Sequence, residues 1–131
     1  MILEKALTKK LLDTVSEEYK TRCLLYKRYS SKAGNEAGKP DLTGVLDGIR
    51  LEIEVKRPDR LPSELLEIEQ KLLRRYNKRL HERLLLEALE IASKRQAYWI
   101  RRFSAFGCIS GVVTSIDQLR LLLDHKMVCS Y

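Results

Sequence analysis

Apolar residues recur at spacings of three and four through the opening of the chain, at Leu3, Leu7, Leu11, Leu12 and Val15, which predicts one buried helical face over roughly 3–19. The period then shortens. CLLYKRY at 23–29 is rich in strand formers, and SSKAGNEAGKP at 30–40 is small, polar and glycine-bearing, the composition of a mobile surface loop. DLTGVLDGIRLEIEVK, from Asp41 to Lys56, holds two alternating runs around Asp47-Gly48, a dipeptide favoured in two-residue type I′ turns, and predicts an antiparallel hairpin. Pro58 ends its second strand, because a proline cannot donate to the ladder and restricts the residue before it. Ser63, after Pro62, is a candidate helix cap, and Glu64 and Glu67 suit a first turn. The helical pattern then runs almost to Phe106. So long a helix would be unusual in so small a domain, and a break is expected near Tyr76 to Leu80. Gly107 can terminate the last piece, CISGVV reads as a strand, and Ser115 with Gln118 forms a capping box for a helix over 116–124.

A chain of 131 residues with 44 % hydrophobic content fits one domain, 1–131, with a real core. Lys and Arg total 25 against 18 Asp and Glu, a formal charge of +7 and a pI near 9.4, which suits a polyanionic partner. Cys23, Cys108 and Cys129 lie far apart without CxxC spacing, so neither a disulfide framework nor a zinc cluster is legible. No apolar signal core opens the chain and no later run approaches a membrane span, so the expectation is a soluble protein of the reducing cytoplasm, with no membrane partner.

Charge alters the picture most at the hairpin. A two-residue turn at 47 and 48 sets Leu46 opposite Ile49, and stepping outward sets Asp41 opposite Glu54, with Cβ atoms roughly 5 Å apart and Lys56 a diagonal neighbour. One face then holds Asp41, Thr43, Glu52, Glu54 and Lys56; the other holds Leu42, Leu46, Ile49, Leu51, Ile53 and Val55. Two opposed carboxylates repel unless something positive lies between them. A divalent cation is the natural occupant: Mg²⁺ prefers oxygen ligands, commonly one or two carboxylates completed by water and a substrate phosphate. Such an ion lowers the pKa of bound water and offsets charge on a phosphodiester under attack, while a nearby lysine orients the nucleophile or stabilises the phosphate. The ordinary alternative is a solvated strand face on which Glu and Lys alternate. E-x-K alone carries little; its pairing with Asp41 through a register-setting turn raises it.

GKPDL at 38–42 followed by EVK at 54–56 resembles the PD-(D/E)XK nuclease signature. With KAGNEAGKPDLTGVLDGIRLEIEVKRP and KRQAYWIRRFSAFGCISGVVTSIDQL around it, the chain is similar to the viral-type replication and repair nuclease domain, VRR-NUC. The resemblance implies an α/β fold with a restriction-endonuclease-like core, a mixed central sheet flanked by helices, and a metal-dependent nuclease whose small stand-alone phage relatives are dimers that cut branched DNA such as four-way junctions. It makes Asp41 and Glu54 metal ligands with the backbone carbonyl of Val55, Lys56 the motif lysine, Gln96 in RQAYW the glutamine near the metal, and Glu4 in LEKAL the first-helix glutamate, a possible indirect ligand. Glu17 and Glu18 are weaker matches for that last place. Read without the family, Gln96 is an exposed helical residue, Glu4 favours a helix dipole, and Glu52 is a flanking charge compensated by Arg50 or another partner.

A helical insertion at about 61–92 departs from the family pattern. Within it Lys71, Arg75, Arg79 and Arg83 recur every fourth residue, beside Arg74 and Lys78, so a single helix would carry a basic face able to follow a phosphate backbone. Against that stands a solvated face neutralised by Glu67, Glu69, Glu82 and Glu87. The many leucines suit a helical hairpin or a dimer interface, and His81 reads as a surface histidine. Lys32 and Lys39 flank Gly34 and Gly38 in the 30–40 loop and are further candidates for DNA contact. The expectation is a Mg²⁺- or Mn²⁺-dependent, structure-selective DNA endonuclease, a Holliday-junction-resolvase-like homodimer acting in the cytoplasm, of the host if the chain is phage-encoded. The alternatives are a non-catalytic DNA-binding module on the same fold and a helical protein-interaction domain.

Overall fold

The structure is a computed structural model and describes residues 3–28 and 37–131. In chain order it contains α1 (Glu4–Tyr19), β1 (Cys23–Lys27), β2 (Leu42–Leu46), β3 (Ile49–Val55), α2 (Ser63–Arg74), α3 (Lys78–Ala88), α4 (Lys94–Ala105), β4 (Ile109–Val113) and α5 (Ile116–Asp124). The strands form one mixed sheet in the order β1-β2-β3-β4. The first three are antiparallel and β4 runs parallel to β3, so the chain needs a crossover between them, and α2, α3 and α4 supply it. At the hairpin tip Asp47 and Gly48 both take positive φ, +47° and +83°, as a type I′ turn requires. Leu46 pairs with Ile49 and Leu42 with Ile53, the register expected from the turn.

Helices α1 and α5 cover one face of the sheet; on the other α4 covers β3 and β4, while Leu24, Tyr26 and Val45 of β1 and β2 stay exposed. Leu42, Leu46, Leu51, Ile53 and Val55 form one core with Leu7, Leu11 and Val15 of α1 and Leu119, Leu122 and Leu123 of α5. On the opposite face α4 brings Ala97 and Ile100 against Val112. Glu52 and Glu54 therefore lie beneath a helix, with 0 % and 1 % of their surface exposed, and from Leu51 to Val55 the strand has no solvated face.

Two helix breaks interrupt the region after Pro62, where one was expected. The first lies at 75–77, where Asn77 caps α3 by accepting from the Leu80 amide at 3.0 Å. Leucines on the two sides of it, among them Leu65, Leu72 and Leu84, make α2 and α3 a helical hairpin with a small core of its own. The second break precedes Ser93, whose hydroxyl and the Gln96 side chain form a reciprocal capping box that starts α4. The periodic apolar pattern continues across this point and hides it. Ser63 is the first helical residue instead of the cap, and its hydroxyl makes no capping bond. Gly107 ends α4 at φ +87°, as expected. Ser115 caps α5, but the Gln118 carbonyl oxygen reaches one residue further back, to the Thr114 amide at 2.7 Å.

His81 is buried, not a surface residue. Its Nδ1 lies 2.8 Å from the Tyr76 hydroxyl, and burial holds its pKa down at about 4. No helix among the described residues is long and apolar enough to cross a membrane.

Candidate functional site

Asp41 stands one residue before β2, and Glu54 lies near the end of β3, the position opposite it. The Val55 amide donates to Asp41 Oδ2 at 3.3 Å, which ties the aspartate to the neighbouring strand. The two carboxyl groups interact directly. Burial first, and then the Asp41 charge, push the Glu54 pKa up from 4.5 to about 9; Lys56 opposes this from 3.7 Å. Near neutral pH the pair thus holds a proton when no cation is bound.

Gln96 meets the same carboxylate. Its Oε1 accepts the Ser93 backbone amide at 2.9 Å as part of the capping box, leaving Nε2 to donate to Glu54 Oε2 at 3.1 Å. The helix start consequently sets which end of the amide faces the site. Glu54 Oε1 is buried and has no hydrogen-bond partner among the described residues.

Glu52, two residues earlier on the same face, is the instructive contrast. The Arg28 guanidinium contacts its Oε1, the Thr43 hydroxyl donates to Oε2 at 2.5 Å, and Arg50 Nε donates to Oε2 at 3.0 Å. The Phe103 ring lies over both guanidiniums, 5.9 Å from Arg28 and 4.8 Å from Arg50. Glu52 is satisfied by protein alone. Glu54 is not: it has the Gln96 amide, the Asp41 backbone amide, an ammonium 3.7 Å away, a second carboxyl beside it and an oxygen without a hydrogen-bond partner among the described residues. An unsatisfied buried oxygen costs about 1–3 kcal/mol, more when charged, and marks a place where a cation would be favourable. Asp41 and Glu54 supply two carboxylates, a number Mg²⁺ commonly uses. Among the described residues no group of three or more His, Cys, Asp and Glu side chains is arranged for a metal, so further ligands would be backbone oxygen, water or phosphate.

Asp41 also opens into a cleft of about 510 Å³ lined by Glu4, Lys5, Thr8, Lys9, Leu12 and Lys27. Glu4, from the first turn of α1, thereby shares a cavity with Asp41, although 37 positions separate them (41 less 4). Lys39 lies with its ammonium 5.0 Å from the centroid of the Trp99 ring. Lys32 falls outside the described residues.

The basic stripe is not brought together. Lys71 is on α2, Arg75 in the turn and Arg79 and Arg83 on α3, so the break at 75–77 removes the single helical face. Lys71 and Arg75 line a groove of about 480 Å³ beside the α2–α3 turn, and Arg83 is paired with Glu87 at 2.9 Å. Sequence reasoning missed the Ser93 box, although S-x-x-Q is written in SKRQ at 93–96. It also missed Arg28 as the partner of Glu52, for which no local signal exists. In comparisons with protein-family models, curated proteins and solved structures, nothing matches this chain.

Proposed function

We propose that the protein is a Mg²⁺- or Mn²⁺-dependent DNA endonuclease with a PD-(D/E)XK core of the VRR-NUC kind. The observation that carries this reading is the Asp41–Glu54 pair, whose buried Glu54 Oε1 has no hydrogen-bond partner among the described residues while Glu52 beside it is satisfied. The four-stranded mixed sheet flanked by helices supports it too.

In this reading Asp41, Glu54 and the Val55 carbonyl hold the cation, and Glu4 reaches the same cleft. When bound, the ion supplies a water of lowered pKa and offsets charge on the phosphodiester. Gln96, locked in orientation by Ser93, donates to Glu54 and keeps its carboxylate aimed into the site. Lys56, whose ammonium is 3.7 Å from Glu54, balances the buried charge and is placed to stabilise a scissile phosphate. A preference for branched or four-way-junction DNA and a homodimeric assembly are parts of the proposal that rest on the resemblance, as does action in the cytoplasm.

The test is cleavage of supercoiled plasmid and of a synthetic four-way junction with and without Mg²⁺, for the wild type, Asp41→Asn and Lys56→Ala. The expected outcome is metal-dependent cutting by the wild type and a loss of roughly 100-fold or more in each variant. Equal cutting by all three would remove the assignment. DNA binding without cutting would favour the non-catalytic module.

A further inference from the structure

The four positive charges of α4 stand apart from the rest of the protein's helical charge. Its twelve residues include Lys94, Arg95, Arg101 and Arg102 and not one Asp or Glu. In α2, Glu64, Glu67 and Glu69 accompany Lys71 and Arg74, and in α3 Glu82 and Glu87 accompany Lys78, Arg79 and Arg83. The excess that makes the chain +7 is thus concentrated on α4 more than on the insertion.

These side chains lie together on the outer side of the helix. Lys94, Arg95, Arg101 and Arg102 are exposed, and Tyr98 between them is 52 % exposed, while Ala97 and Ile100 face the sheet. From 94 to 102 the helix rises about 12 Å, which spans three to four phosphate steps of one strand at about 3.4 Å each along a duplex axis. The first turn of the helix also reaches the carboxylate pair, from its inner side. Gln96 in the first turn donates to Glu54, the Arg95 stem packs against Gly38, and Lys39 lies over Trp99, so the chain entering Asp41 runs along this helix.

We propose that the exposed face of α4 is the surface on which the DNA backbone lies, with Lys94, Arg95, Arg101 and Arg102 meeting phosphates and Tyr98 stacking on an unpaired base. This deepens the nuclease reading and rests on it for the identity of the polyanion. Arginine and lysine neutralise phosphates without reading sequence, and an exposed aromatic ring between them serves any base. The amino-terminal end of such a track, at Lys94 and Arg95, lies in the same helical turn as Gln96, which donates to Glu54, and so leads the backbone toward the site. The α2–α3 basic residues, compensated by acidic neighbours, are given no part in this track.

The experiment measures binding of a fluorescent 30-base-pair duplex and of a four-way junction in EDTA, across 50–200 mM salt. It compares the wild type, Lys94→Ala/Arg101→Ala/Arg102→Ala, the charge-retaining Arg101→Lys/Arg102→Lys, and Lys71→Ala/Arg75→Ala/Arg79→Ala/Arg83→Ala. On the duplex, the α4 alanine variant should bind roughly tenfold or more weaker, with a log–log salt slope shallower by about 2.7 for three lost phosphate contacts. The lysine variant should stay near the wild type, which shows that charge and not folding is at issue, and the α2–α3 variant should change less than threefold. Wild-type affinity in the α4 alanine variant, a larger loss in the α2–α3 set, an equal loss in the lysine variant, or no wild-type binding at 50 mM salt would each overturn the proposal. Cleavage is scored separately in Mg²⁺. A wild type that binds through α4 without cutting sinks the nuclease reading and leaves the surface standing, whereas cutting unaffected by loss of the α4 charges does the reverse.

Discussion

Replacing Glu54 by glutamine should make the metal-free protein more stable, an unusual outcome for a change at a buried charged position. The folded pKa of Glu54 is raised from 4.5 to about 9, chiefly by burial and then by Asp41. A raised folded pKa means that the group's favourable contribution is complete below pH 4.5 and is lost progressively as pH climbs to about 9, because the folded protein must hold a proton that the unfolded chain has released. At about 1.4 kcal/mol per pH unit, the interval from 4.5 to 7 amounts to roughly 3 kcal/mol of lost stability at neutral pH. The Glu54→Gln amide is neutral throughout. It can still accept from Gln96 Nε2 and can donate toward Asp41, so nothing needs to be protonated on folding. The variant should therefore unfold about 3 kcal/mol harder than the wild type at pH 7 in EDTA, a rise in Tm of roughly 10 °C in a domain this size. Urea titrations at pH 6.5, 7.5 and 8.5 read the effect, with the wild type weakening as pH rises and the variant nearly flat. Saturating Mg²⁺ should then recover the wild type by a few kcal/mol, about 2.7 at a hundredfold excess over Kd, and leave the variant unmoved. A variant less stable than the wild type in EDTA, or a wild type whose stability does not fall between pH 6.5 and 9, would refute the electrostatic account of the pair.

Arg28→Met should destabilise the protein by about 3 kcal/mol, since among the described residues it leaves the fully buried Glu52 with half-exposed Arg50 as its one cation; a loss under 1 kcal/mol in urea unfolding would show that Arg28 is dispensable. His81, one of only two histidines, should titrate by NMR with a midpoint near 4. Its lowered pKa means a contribution that is full above pH 6.5 and lost as pH falls toward 4, so a midpoint at 6 or above would contradict its burial. Gly44→Ala should part β1 from β2, because a Cβ there would come 1.9 Å from the Leu24 carbonyl oxygen; a Tm within a few degrees of the wild type would refute that close approach.

Turn and cap chemistry act between neighbours in the chain, and those parts of the structure were legible in it. Asp47-Gly48 selects the I′ turn, the turn sets the register, and the register puts Asp41 beside Glu54 across thirteen positions (54 less 41). Gly107 and Ser115 marked their helix ends for the same local reason. The break before α4 was legible in principle through S-x-x-Q, but the apolar period running through it carried more weight than a four-residue signal.

Burial and partnership depend instead on which element covers which face, a matter settled by contacts between distant segments. Alternation of Glu and Ile along β3 reads as one wet face and one dry face; α4 dries the first, and so makes Glu52 a structural ion and Glu54 a carboxyl that holds its proton. His81 looks like part of a charged helix surface until α3 folds back on α2 and Tyr76 closes over it. The stripe from Lys71 to Arg83 exists only on an unbroken helix, and the Asn77 cap breaks it. Which carboxylates a strand brings together could be counted along the chain, whereas the free energy of charging them required knowing what lies above the sheet, because desolvation acts through space and leaves no trace in sequence spacing.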